Sequence, residues 1–458
     1  MNLSVGIVGG GISGLAVGYY LVKAGLNVSI YEKEGRVGGK IYTKREGGYI
    51  FDIGANTGLE TTPLLPFLYK EIDIENRVAY ASNLSKNRYI LKDGELSKLP
   101  MTPLEFLGTN LFSSRAKVRL LCDLVIGRGE GEESIAEFVK RRIGEEFLHY
   151  AINPFVAGVY AGSPDKLSVK YAFPKLYELE QRYRSLFLGT ILGARERKKR
   201  AEKSKITSRI FSFEGGMSTL PEVLAEKIKD KIKINCEIVG IKKENFKYRF
   251  IIKGREEAKE LFDKVIIAVP TYEAAKLIEE FDSVLSMLML EVEYPPVAVV
   301  NVVFKDDEVG FKGKGFGFLV PEIEKRQILG TLFNSYMFDG RVPEGQILFT
   351  TFVGGSRQPE LVMKKDDELI KMVLSELKRI MFIKNDPVAV EVKKWERAIP
   401  QYNLGYGKLI DAIENFENGS RDILFCANFR GGIALADCIK NARVVADRLI
   451  FQIHSRSV

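Results

Sequence analysis

Residues 3–40, LSVGIVGGGISGLAVGYYLVKAGLNVSIYEKEGRVGGK, constrain the fold of this chain more than any other stretch. Positions 3–8 are an apolar run without polar alternation, which is how a strand covered on both faces of a parallel sheet reads. The run breaks into Gly9-Gly10-Gly11-Ile12-Ser13-Gly14, a G-x-G-x-x-G spacing set between an expected strand and an expected helix. Gly9 permits the tight turn, Gly11 lets the backbone approach a pyrophosphate, and Gly14 lets the helix lie close to the strand. The free N–H groups of that helix, opening at Ile12 and Ser13, and its positive dipole end then face the phosphates. Leu15, Gly18, Tyr19, Leu21 and Val22 recur at helical spacing, Gly25 ends the helix, and 27–31 is the next strand. Glu32 stands at its end, eighteen positions after Gly14, where an acid accepts hydrogen bonds from the ribose hydroxyls of an adenosine. An acid there argues against a 2′-phosphate and so against NADP.

The continuation, Gly35-Arg36-Val37-Gly38-Gly39-Lys40, separates the remaining dinucleotides. Two adjacent glycines let the chain pass beneath the rest of a longer cofactor, with Lys33, Arg36 and Lys40 as nearby cations. This resembles the second signature of the superfamily of flavin-dependent amine oxidases, carotenoid desaturases and protoporphyrinogen oxidases, and the resemblance implies FAD.

The bulk properties narrow the chemistry further. A chain of 458 residues, 46% hydrophobic, supports two or three domains with their own cores. Its four cysteines are scattered with no C-x-x-C, which points to a reducing compartment and to neither a disulfide framework nor a zinc knuckle. Only two histidines are present, His149 and His454, so histidine-based metal sites and Ser-His-Asp hydrolysis are not expected and no metal is assigned. A cofactor must then carry the chemistry. The net charge of +8 reads first as a solvated lysine-rich surface, and otherwise as attraction to an acidic substrate or an anionic membrane face. The basic residues are dispersed and no recognition motif is found, so nucleic acid is not an expected partner. The chain enters its first strand at once, leaving no room for a signal peptide, and no stretch approaches eighteen uninterrupted apolar residues. The expected location is the cytoplasm, with attachment to the inner face of the cell membrane as its variant.

Further along, 41–45 and 49–53 read as a hairpin turning at Gly47-Gly48, leading into the small-residue loop Gly54-Ala55-Asn56-Thr57-Gly58, suited to close approach to a flat ring. Positions 87–91 form a strand containing Arg88. Residues 102–174 are mostly helical in pattern. There, an apolar stripe beside Arg115, Lys117 and Arg119 reads as an ordinary core-facing helix, or as one docking on an anionic bilayer. Residues 232–238, 248–252 and 264–269 read as strands, 290–355 as an antiparallel sheet, and 367–382 as a helix. A strand and a turn containing Trp395, a strand at 423–426 and a helix from about Leu435 close the chain.

Nine motifs carry a more specific resemblance over essentially the whole length: GANT at 54–57, KNRYI at 86–90, NPFVAGVYAGSPDKLSV at 153–169, FPKLYELE at 173–180, GFGFLVP at 315–321, TLFNSYMF at 331–338, TTFVGGSR at 350–357, IPQY at 399–402 and NFRGG at 428–432. They resemble the oxygen-dependent protoporphyrinogen oxidases. The resemblance implies an α/β fold: an FAD-binding Rossmann-like domain of the p-hydroxybenzoate hydroxylase and amine oxidase type, an α+β substrate domain and a helical, membrane-surface domain. The chain would cross between them, with 1–80, 206–285 and 386–458 binding FAD, 81–101, 175–205 and 286–385 binding substrate, and 102–174 helical. It further implies that Arg88 pairs a substrate propionate, that Leu319 and Leu332 sandwich one pyrrole ring, and that Phe352 stacks on another. Gly158 would present its carbonyl where the macrocycle nears the flavin, and Asn56 would orient substrate there. Non-covalent FAD, one per chain, would meet Gly38, Gly39, Lys40, Gly54, Ala55, Ile238, Trp395, Asn428, Ile433, Ala434 and Leu435 besides the residues named above. The implied partners are a tetrapyrrole and O2, with product handed to a ferrochelatase and a homodimer left open. Implied activity is oxidation of protoporphyrinogen IX in haem synthesis. Coproporphyrinogen III oxidation, another flavin oxidoreductase activity and a non-catalytic FAD scaffold remain alternatives. One departure is Ala427 where the family usually has glycine, a methyl expected to narrow the backbone's approach to the cofactor.

Overall fold

The computed structural model describes residues 3–190, 192–193, 208–254, 258 and 260–455; positions 191 and 194–205 of the expected 175–205 segment lie outside them. A five-stranded sheet runs Ile232–Lys233, Asn27–Tyr31, Ser4–Val8, Lys264–Ile267, Ile423–Phe425, with every neighbouring pair parallel. Its strands divide their side chains between two apolar cores, as strands covered on both faces must. Val5, Ile7, Val28 and Ile30 pack with the helices Ile12–Lys23 and Leu435–Ser455, whereas Val8, Tyr31, Val265 and Ile267 pack with a second, antiparallel sheet. Gly6 allows that second contact: a Cβ there would lie 2.6 Å from the Phe250 ring and 2.7 Å from that of Phe262.

A seven-stranded sheet lies beside this unit in the order Ala389–Trp395, Val297–Lys305, Gln346–Gly354, Gly330–Leu332, Gly317–Leu319, Arg88–Lys92, Glu95–Lys98. All its pairings are antiparallel except that of Arg88–Lys92 with Gly317–Leu319. One face is sealed by the amphipathic helix Asp366–Met381, whose Leu369, Val373, Leu377 and Ile380 meet Val300, Val302, Phe304 and Phe318. The other face looks toward the parallel sheet, so the chain crosses repeatedly between the two.

Several sequence expectations needed adjustment. The strand expected over 232–238 is two, Ile232–Lys233 and Ile238–Glu244, separated by Asn235 in the left-handed region (φ 53°). Helices Leu64–Glu71, Thr271–Ile278, Ser283–Leu290 and Gly407–Ser420 had no counterpart in the sequence reading. The last opens on a glycine and carries Asn418-Gly419 near its end, which masks its Leu409 and Ile413 spacing. The stripe after position 102 is not one core-facing helix but two short ones, Pro103–Gly108 and Ser114–Arg119, followed by a 3₁₀ turn, Leu120–Leu124. Leu111 and Phe112 are buried, yet Leu104 is 83% exposed and Val125 86%.

The helical lobe is pinned by a dry ion pair. Arg142 and Asp123 are fully buried and 3.2 Å apart; Arg142 Nε also donates to Glu180 at 2.6 Å, while Asp123 accepts from Ser185 Oγ at 2.6 Å and the Phe187 amide at 2.9 Å. Removing one partner of such a pair leaves the other charge uncompensated. Arg142→Met is expected to cost about 3–5 kcal/mol, read as an earlier denaturant midpoint for loss of the helical lobe; an unchanged midpoint would contradict this role.

Candidate active site

The turn after the first strand is built from backbone. Gly9 adopts φ +107° and donates to the Tyr31 carbonyl at 2.8 Å. At Gly14 a Cβ would sit 1.9 Å from the Gly9 carbonyl, so the helix can start this close only with glycine. Gly11 differs in kind. It has ordinary extended dihedrals, and a Cβ there would meet no protein atom within 4 Å. The second glycine pair backs onto it: the Gly38 amide donates to Gly10 O at 2.9 Å, and Gly39 approaches the Gly11 Cα. Bare backbone and open space at the N-terminus of the 12–23 helix fit a pyrophosphate. Arg36 rigidifies the turn by donating to Val37 O at 3.2 Å and Gly39 O at 2.9 Å, lying 4.0 Å over the Tyr42 ring.

Glu32 is buried at the strand end. Its carboxylate accepts from the Gly10 amide at 2.7 Å and the Glu34 amide at 2.9 Å, leaving lone pairs for hydroxyl donors. Ile238 is brought near by the Cys236 amide, which donates to Glu32 O at 2.8 Å. Lys33 is not brought in: it is exposed, and its ammonium lies 3.3 Å from Glu273. Ile12 and Ser13 open the helix, with Ser13 buried and its carbonyl facing the Cys426 thiol. On the far side, Asn428 O and Phe429 O accept from the hydroxyls of Tyr402 and Tyr406. Arg430 turns away to Glu417 at 2.7 Å, so the NFRGG loop offers backbone rather than a guanidinium. Ile433 and Ala434, partly exposed, lead to Leu435 at the start of the long final helix, a second positive dipole end at this edge of the sheet. The Ala427 methyl is buried in the core with Phe425 and Phe429.

Loop 52–56 joins this cradle to the seven-stranded sheet. The Ala55 amide donates to Lys40 O at 3.4 Å, and a Cβ on Gly54 would lie 1.8 Å from that same oxygen. Trp395 Nε1 donates to Ile53 O at 2.7 Å. Asn301 Nδ2 donates to Asp52 O at 3.4 Å, and Asn301 Oδ1 accepts from Thr350 Oγ1. Buried Asn56 donates to Gly54 O at 3.0 Å and accepts from Asn334 Nδ2 at 3.1 Å.

Two registered rows cross the facing side of the sheet: Arg88, Gly317, Leu332, Thr350, Asn301, and Ile90, Leu319, Gly330, Phe352, Val299. Leu319, Leu332 and Phe352 are only half-buried, while Phe318, Thr331 and Thr351 on the opposite side are essentially dry. Large apolar groups left half-covered beside two bare glycines line an open slot rather than a core. Gly158, exposed on the helix Asn153–Tyr160, forms its other wall; a Cβ there would come 2.6 Å from Leu319 Cδ2. Arg357 ties that helix to the sheet, donating to Val320 O and Asn153 Oδ1, each at 2.9 Å. Arg88 lies 5.2 Å from the Phe316 ring, and its Nε has no partner. Burial alone pushes its pKa down, with no carboxylate opposing it among the described residues; a guanidinium remains charged at neutral pH all the same.

Asn301, Asn334, Arg357, Tyr402 and Tyr406 were not singled out from sequence. Their signal was present only as position: Asn334 two residues after Leu332, Arg357 closing TTFVGGSR, and Tyr402 closing IPQY.

A dinucleotide cradle at the carboxyl edge of a parallel sheet, opening onto an apolar slot over a second sheet, defines a cofactor-dependent oxidoreductase. Comparison with known proteins makes this more particular. Residues 12–450 match the model of the flavin containing amine oxidoreductases. The chain is 32% identical to protoporphyrinogen oxidase 2 of Arabidopsis thaliana, covering 99% of this chain and 95% of that one. It is 27% identical to coproporphyrinogen III oxidase of Bacillus subtilis, covering 97% of each. The crystal structure of a protein titled putative protoporphyrinogen oxidase, from Exiguobacterium sp. 255-15, superposes with a TM-score of 0.84 at 23% identity over 99% of both chains. The chain belongs to the flavin containing amine oxidoreductase family, with the protoporphyrinogen oxidases.

Gly11 and Gly14 give a paired test. Gly11→Ala is expected to leave the apoprotein's stability within about 0.5 kcal/mol of the parent, while flavin dinucleotide affinity falls at least tenfold. Gly14→Ala is expected to lose the folded nucleotide unit. Equal effects in denaturant titration would contradict the assignment of Gly11 to the ligand.

Proposed function

We propose that this chain is an FAD-dependent protoporphyrinogen oxidase of haem biosynthesis, converting protoporphyrinogen IX to protoporphyrin IX with dioxygen as acceptor and hydrogen peroxide as by-product. The observation that carries the reading is the half-covered apolar face of the seven-stranded sheet, with an unpaired guanidinium at one end and the cradle loop at the other. From Arg88 to Asn301 the row crosses four strand spacings, about 19 Å, a length suited to a tetrapyrrole with an extended propionate. The family's cofactor is read as non-covalent FAD, held by Gly9–Gly14, Glu32, Arg36, Gly38, Gly39, Trp395, Asn428 and 433–435. When bound, the flavin supplies a two-electron acceptor for hydride from a bridging methylene and delivers the electrons to dioxygen.

The chain's own residues bind, orient and exclude water. Arg88 pairs a propionate, its charge otherwise unmatched. Leu319 and Leu332 hold one pyrrole and Phe352 stacks on another, so the disc is desolvated where it meets the sheet. Gly158 admits the macrocycle edge, because any side chain there would strike Leu319. Asn56, fixed between Gly54 and Asn334, directs a polar group at the substrate without a proton to give up. Aromatisation drives the oxidation, and pyrrole protons leave to solvent, so no strong base is required. Protoporphyrinogen IX is preferred over coproporphyrinogen III because two further propionates would have to be buried against Leu319, Leu332 and Phe352.

The test is turnover followed by porphyrin fluorescence and peroxide release. Arg88→Met is expected to raise KM for protoporphyrinogen IX roughly 10- to 100-fold, about 1.5–3 kcal/mol for a lost charge-assisted contact, with little change in kcat. Coproporphyrinogen III should be the poorer substrate of the parent. Inactivity of the loaded parent on both substrates would overturn the reading.

The lobe around 103–125 fits an anionic membrane surface. Leu104, Leu107, Val118, Leu121 and Val125 are exposed beside Arg115, and the described residues contain no helix long and apolar enough to cross a bilayer. Sedimentation with phosphatidylglycerol vesicles is expected for the parent and should be lost in a Leu104→Ser, Leu107→Ser double variant. Equal sedimentation of both would contradict docking through this face.

A further inference from the structure

Lys40 is a cation with no counter-charge among the described residues. It leaves the Gly38-Gly39 turn pinned by its carbonyl, which accepts from the Ala55 amide. Its ammonium donates to the Ala398 carbonyl, three residues beyond Trp395, and lies 5.2 Å from the Tyr294 ring. Lys40 therefore joins the 38–40 turn to the 53–56 loop through its backbone and to the 395–398 turn through its ammonium. No carboxylate faces it among the described residues; burial and the neighbouring Lys33 both push its pKa down, to about 8. Several other lysines are paired with acids. Lys264, more deeply buried, is paired with Asp422, Lys33 with Glu273, and Lys44 with Glu391. An enclosed ammonium without an acid is costly, and an anionic ligand would complete it.

The cofactor offers two anionic ends. Its pyrophosphate belongs at the Gly9–Gly14 turn, where the helix N-terminus already serves it. The Lys40 ammonium instead reaches Ala398 O, three residues beyond the Trp395 whose indole bonds the 53–56 loop. We propose that Lys40 faces the pyrimidine edge of the flavin ring and is the counter-charge for the negative charge that the ring acquires on two-electron reduction. The inference rests on the FAD reading above and deepens it. In the oxidation a methylene C–H bond breaks, its electron pair passes to the ring as hydride, and the proton lost from the substrate leaves a pyrrole nitrogen. The ring thus gains negative charge that a fixed ammonium stabilises without any proton transfer from Lys40.

The test uses the FAD-loaded parent, Lys40→Met, Lys40→Gln and Lys40→Arg, with sulfite as the probe, because its addition to the oxidised ring places the same negative charge there. Flavin absorbance of the purified parent comes first; a parent that neither carries nor takes up FAD refutes the cofactor reading itself. With FAD bound, Lys40→Met is expected to weaken sulfite binding at least tenfold and to lower the midpoint potential by about 30 mV, the equivalent of tenfold for a two-electron couple. Lys40→Arg should restore most of both. Lys40→Gln, which can still donate to Ala398 O, gives the same readout if the methionine variant does not fold. Unchanged sulfite affinity and potential in a loaded, charge-free variant overturns the proposal. So does a loss confined to FAD affinity, which would assign Lys40 to the phosphates instead.

Discussion

A short loop, residues 52–56, is gripped from two sheets at once, and the distance between cofactor cradle and slot follows from that grip. From the nucleotide side, Lys40 O takes the Ala55 amide; from the other, Asn301, Asn334 and Trp395 reach across to Asp52, Asn56 and Ile53. Each bond is worth about 1 kcal/mol net, but losing one strands a buried polar group at greater cost. The Rossmann-like sheet and the seven-stranded sheet each have their own apolar core, joined where Phe51 and Ile53 pack on Val303 and Leu348. These few side chains are what turn two cores into one site.

The slot results from a rule broken on one face. A sheet between two layers ordinarily buries both sides, yet here Leu319, Leu332 and Phe352 stay half-covered while their backs are dry. Glycines at 317 and 330 leave the floor low between them. Charge follows the same logic. Several enclosed cations elsewhere find acids, as Arg142 finds Asp123 and Lys264 finds Asp422. Arg88 and Lys40 do not, and they stand at the two places where an anionic ligand would complete them.

The first βαβ unit was legible in the sequence because each glycine there answers a local steric demand, and 27–31 came out with its observed bounds. The slot residues were legible only through motif resemblance: by pattern alone Leu319, Leu332 and Phe352 are strand residues like any others, and only pairing across four strands gathers them with Arg88. Asn334 and Tyr402 were invisible as partners because what they bond, Asn56 and Asn428 O, lies 278 and 26 positions away. The 407–420 helix escaped because its terminal glycines argue locally against helix while tertiary packing of Leu409 and Ile413 decides for it.

The most direct measurement of the central claim is an anaerobic titration of the FAD-loaded protein with protoporphyrinogen IX. The account predicts bleaching of the flavin bands with a stoichiometry of three cofactors reduced per porphyrin formed, and full recovery of the spectrum on admitting air. A loaded protein whose flavin spectrum is untouched by the substrate would contradict it.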